Sequence, residues 1–203
     1  MNRLTITRLI VCVMALVAAT AVAHADPITQ NSTNNGFYNI SLLAPFGQTF
    51  TAEDPLIDTV GVFATLFHAP GTTLPDTLSL RYDLYAGTGT NPTPLASRTF
   101  TGPGSFDGFA DVSFSGVPLV VGVTYSLMVT AITPLVFVGA GNNNPYPGGV
   151  ALFVNRPAEP LDLAFHVLPA AATPEPMTVA LLGLGVLGLT TKRSWRRTAM
   201  KDL

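Results

Sequence analysis

Facing carboxylates, histidines at ligand spacing and an activated serine are the patterns that carry hydrolytic chemistry. This chain offers little of any. Glu53-Asp54 is its densest acidic pair. A glycosidase needs two carboxyl groups facing each other across a cleft, about 5 to 9.5 Å apart. Neighbours on a loop before Pro55 point to solvent instead. The acids also suit Ca²⁺, a hard cation that takes carboxylate and carbonyl oxygens. Asp54 and Asp162 are the candidate ligands of a structural Ca²⁺, and no other cofactor is expected. His68 and His166 lack a second histidine at zinc spacing. His166 falls on the polar positions of the last alternating run and is expected to face water. Gly104-Ser105-Phe106-Asp107-Gly108 has the glycines of a nucleophile elbow without its spacing, and reads as a turn. Gly183-Leu184-Gly185-Val186-Leu187-Gly188 has the letters of a dinucleotide fingerprint, but no strand precedes it. The chemistry left is binding. Aromatic faces stack on the apolar faces of sugars, which brings forward Tyr85, Phe106 and Tyr146. Tyr146 follows Asn142-Asn143-Asn144-Pro145, and side-chain amides bond hydroxyls well. Tyr146 and Asn144 are therefore the candidate glycan contacts, and the chain is read as a non-enzyme.

These residues lie in a segment, 26–172, whose charge differs from that of the whole chain. The 203 residues carry 10 Lys and Arg against 12 Asp and Glu. The segment keeps only Arg81, Arg98 and Arg156, against ten acids, a balance of −7. Nucleic acid, which selects basic surfaces, is excluded as a partner.

Alternating rows run through this segment. Leu78, Leu80, Tyr82 and Leu84 alternate with Ser79, Arg81 and Asp83, so the first set faces a core and the second faces water. Val112 and Phe114 alternate with Asp111 and Ser113. Tyr125, Leu127 and Val129 alternate with Ser126 and Met128. Leu161, Leu163, Phe165 and Val167 alternate with Asp162, Ala164 and His166. Val60, Val62, Ala64 and Leu66 are opposed by Phe63 and Phe67, which predicts a strand buried on both faces. Gly/Pro/Asn clusters at 69–71, 87–92, 102–104 and 141–145 mark turns. No helix of ten residues is expected. Eight to ten short strands argue for an all-β fold, an antiparallel β-sandwich of jelly-roll type.

Both ends are apolar. Arg3 and Arg8 precede an apolar run from Leu9 to Ala19, and Ala23-His24-Ala25 fits a small-x-small cleavage site. That is the pattern of a secretory signal peptide over 1–25, cut after Ala25. The only cysteine, Cys12, leaves with it. At the other end, Met177 to Thr191 is uncharged and mostly apolar. As a helix it spans about 22 Å, short of a hydrocarbon core of about 30 Å. Lys192, Arg193, Arg196 and Arg197 follow and hold that end on the cytoplasmic side. Pro174 and Pro176 stop a helix from running back into the body.

The order Pro174-Glu175-Pro176, apolar Gly/Leu-rich stretch, basic cluster resembles the PEP-CTERM sorting signal of exopolysaccharide-producing Gram-negative bacteria. The resemblance covers 173–203, and the chain runs on to Thr198–Leu203 beyond the usual basic end. It implies an inner-membrane precursor, cut by signal peptidase at one end and by exosortase near Pro174, Glu175 and Pro176 at the other. It also implies display at the cell surface or in the extracellular polysaccharide matrix. A second resemblance runs through Gly47-Gln48-Thr49-Phe50-Thr51, Leu84-Tyr85-Ala86, Val123-Thr124-Tyr125, Tyr146-Pro147-Gly148-Gly149 and Asp162-Leu163-Ala164-Phe165. This order is similar to the exported all-β bodies found ahead of such tails, which resemble carbohydrate-binding jelly rolls. The expectation is a non-catalytic module that associates with exopolysaccharide. The alternatives are a secreted glycan-active enzyme and a purely structural matrix protein.

Overall fold

A computed structural model describes residues 26–43, 45–67, 70–90, 93–143, 145–154 and 156–170. The signal-peptide residues Ala23 and Ala25 lie outside them. So do Asn144, His68, the motif Pro174, Glu175 and Pro176, and the basic Lys192, Arg193, Arg196 and Arg197.

Within the described residues the chain forms β1 (Ile28–Gln30), β2 (Gly36–Asn39), β3 (Phe46–Thr51), β4 (Ile57–Leu66), β5 (Thr77–Ala86), β6 (Ala96–Pro103) and β7 (Asp107–Ser113). It continues as β8 (Thr124–Ala131), β9 (Val136–Gly141), β10 (Ala151–Phe153), β11 (Arg156–Pro157), β12 (Asp162–Leu163) and β13 (Phe165–Pro169). One helical turn, Ile40–Leu43, joins β2 to β3. Asn39 starts it by accepting from the Ser41 N–H at 3.0 Å, as a capping side chain does. No described helix is long and apolar enough to cross a membrane. The thirteen strands exceed the eight to ten expected, because the C-terminal part is cut into pieces of two to five residues.

All the pairings are antiparallel, and the central ones nest. β5 pairs β6, β4 pairs β7, β3 pairs β8 and β2 pairs β9. The chain is thus one long hairpin with its tip between β5 and β6. Further pairings of β4 with β9 and β5 with β8 roll this hairpin into two layers. One sheet holds β2-β9-β4-β7 and the other β3-β8-β5-β6. β10 and β11 extend the second sheet beyond β3, while β1, β12 and β13 join the first. The result is an antiparallel two-sheet sandwich.

The predicted inward rows meet between the sheets. Leu78, Leu80, Tyr82, Leu84, Leu127 and Val129 are fully buried, as are Val60, Val62, Ala64, Leu163 and Phe165. Tyr82 carries its hydroxyl across the core and donates to the Ala110 carbonyl at 2.7 Å. Burial raises its pKa far above the ordinary phenol value.

Several outward positions depart from expectation. Ser126 and Met128 are buried although they face away from the core. Met128 lies over Gly47, its register partner, where a Cβ would meet its Sδ at 2.5 Å. Ser126 is covered by the hairpin tip: its hydroxyl donates to the Gly87 carbonyl at 2.7 Å and accepts from the Gly89 N–H at 2.8 Å. Asp83 does not face water either, because Arg81 Nη2 and Nε reach its Oδ1 at 2.9 and 3.0 Å. The outer face of β4 is only partly covered, with Phe63 and Thr65 half-buried, and Phe67 just beyond the strand is 52% exposed. The row from Leu161 to Val167 is broken at Ala164. There the Ala164 N–H bonds Gly139 of β9 while its carbonyl accepts from Phe63 of β4. The chain passes from one neighbour to the other, so Asp162 and Ala164 are buried along with the apolar row.

Candidate functional site

The outer surface of the first sheet gathers the groups that no core demands. Register partners in a sheet share a face. Phe63 of β4 stands opposite Phe109 of β7, with ring centroids 5.6 Å apart in an edge-on arrangement. Phe37 of β2 stands opposite Gly139 of β9. With no side chain on Gly139, Phe37 reaches Phe63 at 5.9 Å. One step along the strands, Thr65 lies between Asp107 of β7 and Phe137 of β9. Phe137 packs against Phe67 at 5.1 Å. Phe37, Phe67, Phe137, Thr65, Leu66 and Asp107 line a groove of about 390 Å³. Phe37 and Phe67 are 46% and 52% exposed, so these rings face outward rather than filling a core.

At the other end of this surface a second glycine gap appears. Gly61 of β4 is partnered by Asp111 of β7 and by His166 of β13. A Cβ on Gly61 would sit 2.1 Å from Asp111 Oδ1 and 2.7 Å from His166 Nε2. The two side chains meet over the bare backbone, with Nε2 2.9 Å from Oδ1 but outside the alignment of a hydrogen bond. The imidazole also lies 4.7 Å from the Phe109 ring. His166 is therefore largely covered, its side chain only 12% exposed, where the alternation had placed it in water.

The residues singled out from the sequence fare differently. Tyr146 is not a free platform. Its ring packs edge-on against buried Phe165 at 5.3 Å, and its hydroxyl accepts from the Thr51 N–H at 3.3 Å. Desolvation raises its pKa, with the Thr51 amide opposing. Asp162 is fully buried between the sheets. Its Oδ1 accepts from Gln48 Nε2 at 2.7 Å and its Oδ2 from the Tyr146 N–H at 3.0 Å. Gln48 Oε1 accepts from the Leu163 N–H at 2.8 Å, and Gln30 Nε2 donates to the Leu163 carbonyl at 2.7 Å. Burial raises the Asp162 pKa, while the Tyr146 amide and Gln48 act against it. This is a structural polar bridge from β3 to β12. Asp54 lies on the 52–55 loop beside exposed Glu53. Among the described residues no three His, Cys, Asp or Glu side chains converge as a metal-binding group, and both Asp162 carboxylate oxygens already accept hydrogen bonds from the protein. Tyr85 is partly exposed on the opposite sheet, and Phe106 packs on Phe100 at 4.8 Å.

A second groove, of about 520 Å³, runs between edge strands β6 and β7. Its one cation is already engaged: Arg98 Nε donates to the Ser113 carbonyl at 2.9 Å, and its guanidinium lies 5.5 Å from the Phe114 ring centroid. Arg98 thus spans the gap from edge strand β6 to edge strand β7.

The outer phenylalanines were missed from sequence, although a signal was present. On β7 the outward row is Asp107, Phe109, Asp111, Ser113, and a lone large apolar residue in a polar row asks for an external explanation. Compared with known proteins, no family model, curated protein or solved structure matches this chain.

Proposed function

We propose that this chain is an exported, non-catalytic jelly-roll module. It is sorted through its PEP-CTERM-like tail by exosortase to the cell surface or the extracellular polysaccharide matrix, and it binds glycan there. The observation that carries the binding reading is the row of outward phenylalanines on the first sheet, which offers ring faces to the apolar faces of sugars. The nested strand order supports the jelly roll, a rolled-up hairpin of eight strands. A binding role is favoured over hydrolysis because the acids of this face are poorly set for it. Asp107 and Asp111 stand on one strand with Phe109 between them. Four residues of strand separate them by roughly 13 Å, wider than a glycosidase pair.

The chain ends fit processing on both sides. β1 pairs β13 with Ile28 opposite Val167, so the body starts and finishes on neighbouring strands. Two cuts outside this pair leave every core strand in place.

The test is intact mass together with polysaccharide co-sedimentation of protein recovered from the cell surface and medium. The expected species begins near Asp26, ends near Pro174 or Glu175, and sediments with matrix polysaccharide. A species that keeps residues 177–203 in the inner membrane and ignores polysaccharide would overturn the proposal.

A further inference from the structure

We infer that the groove of Phe37, Phe67, Phe137 and Asp107 is a cation–π subsite for the protonated amine of an amino-sugar polysaccharide. The inference rests on the glycan-binding reading above and deepens it by naming the sugar.

The groove combines two attractions for a cation. The faces of aromatic rings carry negative quadrupole density, and a carboxylate adds full charge. Asp107 is exposed, and among the described residues it has no ion pair and its carboxylate accepts no hydrogen bond. Among the described residues no arginine is paired with it. Arg81 is bound to Asp83, Arg98 is held by Ser113 and Phe114, and Arg156 is on β11 of the other sheet. The described arginines thus leave this carboxylate open to the cation of a ligand. The groove's volume of about 390 Å³ suits a ligand the size of one or two sugar rings.

A sugar polymer fits better than a basic peptide because the aromatic surface does not stop at the groove. Phe37 leads to Phe63, and Phe63 to Phe109, so a further stretch of ring faces lies beside the carboxylate. A lysine side chain would occupy only part of the groove and leave that stretch unused. A polymer of amino sugars places its ammonium at Asp107 and its next rings on Phe63 and Phe109. An anionic polymer is disfavoured by the balance of −7 between three arginines and ten acids in the body.

The experiment is calorimetric titration of the full chain in detergent with a glucosamine hexamer, an N-acetylglucosamine hexamer and a lysine hexamer. The expected result is that the glucosamine hexamer binds about tenfold or more tighter than either of the others. Asp107→Asn and Phe67→Ala should each weaken it about tenfold, with the melting temperature unchanged for Asp107→Asn, whose side chain is exposed, and lowered by no more than a few degrees for Phe67→Ala, which gives up its contact with Phe137. Phe109→Ala removes a ring outside the groove and should weaken both sugar hexamers alike. Equal binding of the two sugar hexamers, with no effect of Asp107→Asn but a loss with Phe109→Ala, would overturn the inference and leave the glycan reading standing. A lysine hexamer that binds as tightly as the glucosamine hexamer would also overturn it. No sugar binding at all would overturn both.

Discussion

Asp162 is a carboxyl group that the fold buries. It sits between the sheets with no exposure, and its pKa is raised by desolvation in spite of two hydrogen bonds. A raised carboxyl pKa means that the folded state binds the proton more tightly than the unfolded chain does. The stability this gives is fully present below the ordinary value of 3.8, and it is lost as pH rises through the raised folded value. Chemical denaturation across that window should therefore show a component that falls with pH, and Asp162→Asn should flatten it. Gln48→Ala strips Asp162 Oδ1 and the Leu163 amide of their partner, and should cost about 3 kcal/mol by the same measurement. Two glycines give a sharper comparison. A Cβ on Gly61 meets the ends of Asp111 and His166, and the Asp111 side chain is 49% exposed and free to swing aside. A Cβ on Gly149 would lie 1.8 Å from the backbone carbonyl oxygen of Thr49, which belongs to β3. Gly61→Ala should cost about 1 kcal/mol and Gly149→Ala about 3 or more. Equal costs in a denaturation series would contradict the geometry.

At the scale of the element, period-two patterning predicted each strand's inward row. It did not predict what covers the outward row, because that depends on which segment folds back over it. Ser126 is the clearest case. It reads as a solvent-facing serine on β8, yet it holds the hairpin tip through Gly87 and Gly89, whose φ values of 81° and 82° suit glycine. Ser126→Ala should destabilise the fold by about 1 to 2 kcal/mol and speed amide exchange at Gly89 more than at the strand centres. The break at Ala164 is a second case. Its run of alternating residues looked like one strand. The divergence of β4 from β9 splits it, since each half must pair with a different neighbour.

For the whole molecule, the pairing of β1 with β13 has a direct consequence. The two strands are antiparallel neighbours, and the chain leaves β13 beside the point where it enters β1. A short turn joining residue 170 to residue 26 would make them an ordinary hairpin. A circular permutant of the body built that way, opened in the exposed 71–73 turn, should melt within a few degrees of the parent body. A permutant that fails to fold would show that the ends are held by something other than this pair.

The sequence by itself determined the all-β class, the inward rows and the low basic content, because alternation and charge are local properties that each segment carries whatever its neighbours do. The tertiary structure decided which side chains share a site. Phe37, Phe67, Phe137 and Asp107 come from four strands, β4 with its trailing residue counted as one, and they meet only because the long hairpin rolls β2, β9, β4 and β7 into one sheet. Tyr146 illustrates the converse. Its loop looked like a binding loop, but its ring was drawn onto Phe165 by burial that no local pattern encodes.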